Sequence, residues 1–286
     1  MQTKIKTTSY QKAIICMIFA YISIALMGVF VKYASDELPS SEILFSRFLI
    51  GFIFYCPLIR DGDFKVELSQ WPFLVMRNLA GIASMLLTFY AIKYLPISIA
   101  VLLMNTSALF VPLLLFVLRT RTPLKVLACS FLGFAGVSII MLTDSSKHFE
   151  LLHIGYALGA AFLAAMAFIS LQELNKHNSP KNIVFYFHLL GSLLLPLFFA
   201  AQWEIPTAHG FLLLLLVGGF GLIFQLLLTR AFKYASANVI TPFAFTGVIF
   251  SSICDWLFWH NVPTLNFWIG SFVIILSVSL LAKMRR

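Results

Sequence analysis

Few side chains can do chemistry in a chain of 286 residues that is 60% hydrophobic and 11% charged. The informative ones lie inside apolar runs, because a polar group in lipid must face a cavity, a partner or a substrate. Arg47 is the most expensive of them. Its guanidinium suits a carboxylate, and it lies six residues into an apolar run, roughly 9 Å along a helix. The alternative is structural pairing with a carbonyl of another helix or with Glu42, which is five residues away and poorly placed on the same helix face. His188, about 10 Å into a later run, titrates near neutral pH and suits proton coupling, or else packs as a neutral, hydrogen-bonded ring. Asn105, flanked by Thr106 and Ser107, joins Gln225 and Gln172 as neutral amides for a substrate or another helix. Tyr90 and Trp256 can stack on a planar molecule. Pro112 and Pro242 each lack an amide hydrogen inside an apolar run, which marks them as helix breaks beside a cavity or as packed kinks.

Other chemistries find no support. The histidines at 148, 153, 177, 188, 209 and 260 form no i, i+3 or i, i+4 pair to hold a metal from one helix face. Cys16, Cys56, Cys129 and Cys254 all sit in apolar runs without Cys-x-x-Cys spacing, so neither a disulfide framework nor a thiol metal site is indicated. No Gly-x-x-x-x-Gly-Lys phosphate loop is present. No cofactor or metal is expected, and an embedded enzyme or a channel lacks its constellation or filter. Asp255 and Glu42 fall near one membrane face, within reach of interfacial water. With no carboxylate at mid-depth, uniport or exchange is favoured over a proton-driven pump, although His188 keeps proton coupling open.

The elements that position these residues follow from hydropathy. About 20 apolar residues cross a hydrocarbon core of roughly 30 Å. Segmentation on that length gives ten spans: 13–32, 41–59, 73–92, 97–118, 123–142, 153–172, 181–200, 210–230, 237–259 and 264–283. With no water to bond the backbone these are helices, and no alternating pattern supports a barrel. The run from Ala13 to Val31 is longer than a signal-peptide core and reads as the first span. The net charge of +9 sits in short clusters between spans, which suits a membrane surface and not nucleic acid. Of 20 Lys and Arg, sixteen fall on the side shared by both termini, Arg77 among them; Lys32, Lys93 and Lys147 fall on the other, and Arg47 lies within a span. Both termini are therefore expected in the cytoplasm.

Ala91-Ile-Lys93-Tyr94 recurs as Ala231-Phe-Lys233-Tyr234. At the same offset of 140, Leu86, Leu87, Thr106, Phe110 and Pro123 meet Leu226, Leu227, Thr246, Phe250 and Pro263. The chain is thus an internal repeat, 1–146 and 147–286. Five spans per copy is an odd number, so the second copy enters the membrane inverted. The fold class expected is an all-α integral membrane protein of ten transmembrane helices in two inverted five-helix repeats. That plan is common among secondary transporters, whose midplane site opens alternately to each side. Small residues at Gly155, Gly159, Ala160 and Ala164, and at Gly218, Gly219 and Gly221, read as close-packing faces.

The stretch Lys93-Tyr-x-Pro-x-Ser-x-Ala100, the triplet Phe45-Ser-Arg47 and the five-plus-five layout resemble the EamA-type branch of the drug/metabolite transporter superfamily. The resemblance covers nearly the whole chain. It implies a permease of a bacterial inner membrane with a small-molecule substrate and lipid as its partners; a homodimer stays open. A Gly-Glu pair often ends the fourth and ninth spans of that family. Here those places read Arg119-Thr-Arg121-Thr-Pro123 and Trp259-His-Asn261-Val-Pro263, so no role of that glutamate carries over. An amino acid or a derivative of the S-adenosylmethionine type leads as substrate, with a drug, a nucleotide precursor or a vitamin as alternatives.

Overall fold

In the computed structural model the described residues are 7–58, 66–117, 124–143, 150–235, 243–244 and 246–284. They form α1 (Thr7–Ala34), α2 (Ser40–Tyr55), α3 (Trp71–Tyr94), α4 (Ile97–Asn105), α5 (Ser107–Val117), α6 (Leu124–Thr143), α7 (Leu151–His177), α8 (Pro180–Phe199), α9 (Ala208–Tyr234), α10 (Thr246–Trp259) and α11 (Leu265–Met284). No strand occurs among the described residues. α1, α3, α7, α8 and α9 are each long and apolar enough to cross a bilayer alone. The fourth span is the pair α4 and α5, so the architecture is ten spans in two five-span repeats.

Helix ends follow local rules. Ser179 and Thr207 cap α8 and α9 by accepting from the backbone N–H of Asn182 and Gly210 at 3.3 and 3.0 Å. Pro180 occupies the first turn of α8, where its missing amide costs nothing. Pro96 precedes α4 with an extended backbone.

Packing displays the inversion. α1 runs along α9 and α3 runs along α7. Because α1 corresponds to α7 and α3 to α9 in the repeat, these are one interface formed twice. Two further contacts, α2 with α8 and α6 with α11, pair each helix with its own counterpart, and α4 packs on α10, the counterpart of α5, within the matching spans four and nine. The pseudo-twofold axis passes through them.

Glycines mark that axis at an offset of 140. A Cβ on Gly51 would fall 1.8 Å from the His188 ring, and one on Gly191 would fall 2.3 Å from the Phe48 ring. Phe48 and His188 are counterparts, as are Gly51 and Gly191, so the α2–α8 crossing is two matching ring-on-glycine contacts. The same exchange links α2 and α8 to the long helices. Arg47 lies on Gly221, and its counterpart Phe187 lies on Gly81, at closest approaches of 2.5 and 2.9 Å to a Cβ built there. Only glycine lets side chains this large approach a helix so closely.

Span four is interrupted at Thr106, not at Pro112, which lies within α5. Thr106 Oγ1 donates to the Leu103 carbonyl at 2.6 Å, drawing the last turn of α4 tight, while its own carbonyl accepts from Leu109 N and begins α5. The counterpart repeats the device: Thr246 Oγ1 donates to the Phe243 carbonyl at 2.7 Å where α10 starts. Pro242 lies outside the described residues.

Candidate functional site

A cavity opens at mid-membrane depth between the two repeats. Tyr21 of α1, Arg77 and Ser84 of α3, Phe187 of α8 and Gln225 of α9 line it, and Asn105 and Ser107 contribute from the break between α4 and α5. Ala164, another lining residue, is the middle residue of the 27-residue α7. Both repeats therefore build the walls, and the break in span four meets the other repeat beside the cavity: Asn105 Nδ2 donates across the axis to the Ala244 carbonyl at 3.1 Å. Gln225 is held by its own helix, with Nε2 donating to Thr229 Oγ1 at 3.3 Å. Asn105 keeps its Oδ1, and Gln225 its Oε1, without a hydrogen bond to protein among the described residues.

The remaining sequence candidates sit elsewhere. Arg47 is fully buried one layer behind the wall, where its Nη1 donates to the Met85 thioether at 2.8 Å and its Nη2 to the Gly221 carbonyl at 3.4 Å. Met85 is itself a lining residue, so a single flexible side chain separates this guanidinium from the cavity. His188 is fully buried against Gly51 and does not line the cavity. Its Nδ1 donates to the Val184 carbonyl at 2.8 Å, which fixes the proton on that nitrogen. Tyr90 is half-buried against Tyr156, with ring centroids 5.6 Å apart, and lies off the cavity. Trp256 is 54% exposed on the outward face of α10, so it faces away from the cavity and has no planar ligand to stack on there. Gln172 is exposed.

The residue that sequence reasoning misplaced is Arg77. Counted among the basic residues at the membrane surface on the side of the termini, it is instead buried in the second turn of α3, 3% exposed, with its guanidinium over the Phe187 ring at 4.2 Å and beside Gly81. Arg77, Gly81, Ser84, Met85 and Thr88 share one face of α3 by helical spacing, and all five line the cavity. That stripe of polar and small residues within an apolar run is the signal that could have found it.

Three acidic residues near the membrane face bearing the α1–α2 connection are engaged at that face. Asp255 is buried, and its two carboxylate oxygens accept from Ile97 N and Ser98 N at 3.0 and 2.7 Å, capping α4. Glu42 accepts from Glu204 N at 3.0 Å. Both are thus committed to backbone amides, not to interfacial water. Glu37, in the α1–α2 connection, accepts from Thr207 Oγ1 and from His209 Nδ1, each at 2.9 Å, and these bonds hold its carboxyl below the ordinary carboxylate range. Lys32 closes the same face by donating to the Leu95 carbonyl at 2.8 Å. On the opposite face, Lys233 donates to the Asn175 carbonyl at 3.2 Å. Among the described residues, no cluster of acidic, His or Cys side chains could hold a metal.

The chain has relatives among known proteins. A chain 29% identical over 279 residues, covering 96% of this chain and 98% of its own length, is the pseudopaline exporter CntI of Pseudomonas aeruginosa. The riboflavin transporter of Vibrio cholerae is 26% identical, with 93% and 91% of the two chains covered. The S-adenosylmethionine uptake transporter of Rickettsia bellii is 24% identical, with 96% and 94% covered. A solved crystal structure superposes with a TM-score of 0.68 at 16% identity over 98% of this chain and 99% of the other, a likeness of fold. The EamA-like transporter family model matches twice, over residues 11–142 and 151–283, and these two matches take in nearly the whole described bundle. The chain belongs to the EamA-like transporter family.

Proposed function

We propose that this transporter moves a small organic metabolite by alternating access, and that an amino acid or amino-acid derivative is the leading substrate class. One observation carries the reading: a cavity at mid-depth, walled by both repeats and flanked by the break in span four, offers amide groups from each half at Asn105 and Gln225. Residues 1–146 and 147–286 are the units that rock against each other. The reciprocal glycine contacts between α2 and α8 give them a close crossing to rock about. Asn105 ties the break in span four to the other repeat, so a substrate drawing on its free Oδ1 pulls on both halves at once. In this reading the membrane is a bacterial inner membrane with both termini in the cytoplasm, a placement supported by the excess of Lys and Arg on that side.

The test is counterflow in proteoliposomes loaded with a defined metabolite mixture, read by mass spectrometry against protein-free vesicles. Exchange of an amino-acid-class compound should be saturable and stimulated by countersubstrate. Asn105→Ala and Gln225→Ala should each slow it roughly five- to tenfold, the worth of about 1 kcal/mol for a lost polar contact. A chemically altered product, or current without countertransport, would sink the reading.

A further inference from the structure

We infer that the cavity is an anion site whose substrate carries at least two carboxylates or equivalent acidic groups, with Arg77 as its first anchor. The inference rests on the transport reading and narrows its substrate class. Arg77 and Arg47 are both buried in the membrane interior, and neither has a carboxylate within ion-pair distance among the described residues. Arg77 lines the cavity and makes no hydrogen bond to the described residues, and its buried Nε has no acceptor. Its one aromatic partner, Phe187, offers only a ring face. A guanidinium with five donors in a low-dielectric interior calls for an anionic partner. Asp255, Glu42 and Glu37 cannot supply one, since all three are bound at the membrane face.

The two guanidiniums meet neighbouring turns of α3, Arg77 beside Gly81 and Arg47 at the Met85 thioether, and those two α3 residues are about 6 Å apart along the helix axis. Two cationic groups so placed suit two acidic groups on one substrate. Arg47 comes into reach once the Met85 side chain swings aside, and a thioether is the most adaptable group to do so. None of the described lining residues is acidic. The site therefore repels a sulfonium or an amine that lacks compensating carboxylates, and it gives an uncharged ring system no counterpart for the two guanidiniums.

The experiment uses purified full-length protein and reads thermal stabilisation by L-glutamate and tricarballylate against L-glutamine, at matched ionic strength. L-glutamine differs from L-glutamate only in replacing one carboxylate by an amide. Wild-type protein should respond to the acidic probes at about tenfold lower concentration, as a charge-assisted bidentate pair requires. Arg77→Gln should abolish that preference and Arg77→Lys retain part of it. Should Arg77→Gln fail to fold, Arg77→Lys carries the test, because it keeps the charge and loses the bidentate fork, so the preference for the acidic probes should fall without vanishing. Equal responses to glutamate and glutamine, no response to any probe, or a preference undiminished in the variants would overturn the inference. Counterflow on the same preparations separates the two claims. Acidic probes that bind in an Arg77-dependent way, with no metabolite exchanged, would leave the anion site standing and sink transport. Exchange of an uncharged or cationic metabolite at equal rates in wild type and Arg77→Gln would leave transport standing and sink the anion site.

Discussion

Asp255 illustrates how much one side chain can hold. Its two oxygens satisfy two amides at the buried start of α4, from a helix of the other repeat. Loss of such a cap costs about 1–2 kcal/mol, because the amides are left without acceptors. Asp255→Ala should therefore lower the melting temperature by roughly 2–8 °C in a domain of this size. It should also raise the reactivity of a cysteine placed at Ser98 toward a membrane-impermeant thiol reagent. Asp255→Asn, which keeps one acceptor oxygen, should fall between. An unchanged melting temperature and an unreactive Ser98→Cys would show that the carboxylate is dispensable there. The sequence could place Asp255 near a membrane face but not say what it bonds, since its amide partners are more than 150 positions away. Arg77 escaped for a related reason. A basic residue one or two turns inside a span has the same spacing as one snorkelling to the surface.

At the scale of helices, Gly51 and Gly191 each receive a ring, whereas Gly155 and Gly219 face open space. A methyl group on Gly51 or Gly191 meets a buried aromatic or imidazole ring that has nowhere to go. Overpacking of this kind costs about 1–3 kcal/mol. Gly51→Ala and Gly191→Ala should each reduce folded protein and melting temperature. Gly155→Ala and Gly219→Ala meet nothing within 4 Å and should leave both unchanged or slightly improved, as helix propensity favours alanine. A reversed ranking in a detergent melting series would refute the packing account. The spans themselves are legible in hydropathy because lipid leaves the backbone one solution. The interruption at Thr106 is not, because a threonine that tightens a helix end looks, in sequence, like any threonine within a helix. The repeat register was visible from Lys93 and Tyr94, yet its densest meaning lay in Gly51 with Gly191 and Gly81 with Gly221. Glycine carries no hydropathy, and its role emerges only when the opposing side chain is known.

For the whole molecule the bias of basic residues survives the reassignment of Arg77 to the interior. Of the sixteen Lys and Arg that the spans assign to the side of the termini, fifteen keep that assignment, against three assigned to the opposite side. Reporters fused before Met1 and after Arg286 should both register as cytoplasmic. A non-cytoplasmic signal at either end would be incompatible with an even number of spans in this orientation. The two-repeat layout follows from counting spans, but the cavity does not. Its walls come from six spans, and no periodicity within one span predicts which faces converge.

The inverted repeat also bears on where the molecule rests. If the form open to the other side arises by the two repeats trading conformations, every contact between like counterparts has the same energy in both forms. Thr106 with Thr246 and Gly51 with Gly191 are then neutral spectators. The tilt of the balance falls to the mismatched counterparts at the axis, Arg47 with Phe187 and Phe48 with His188. Four side chains near the centre of the bilayer would then act as unequal weights on an otherwise even beam, and a bound anion on Arg47 or Arg77 would shift the load.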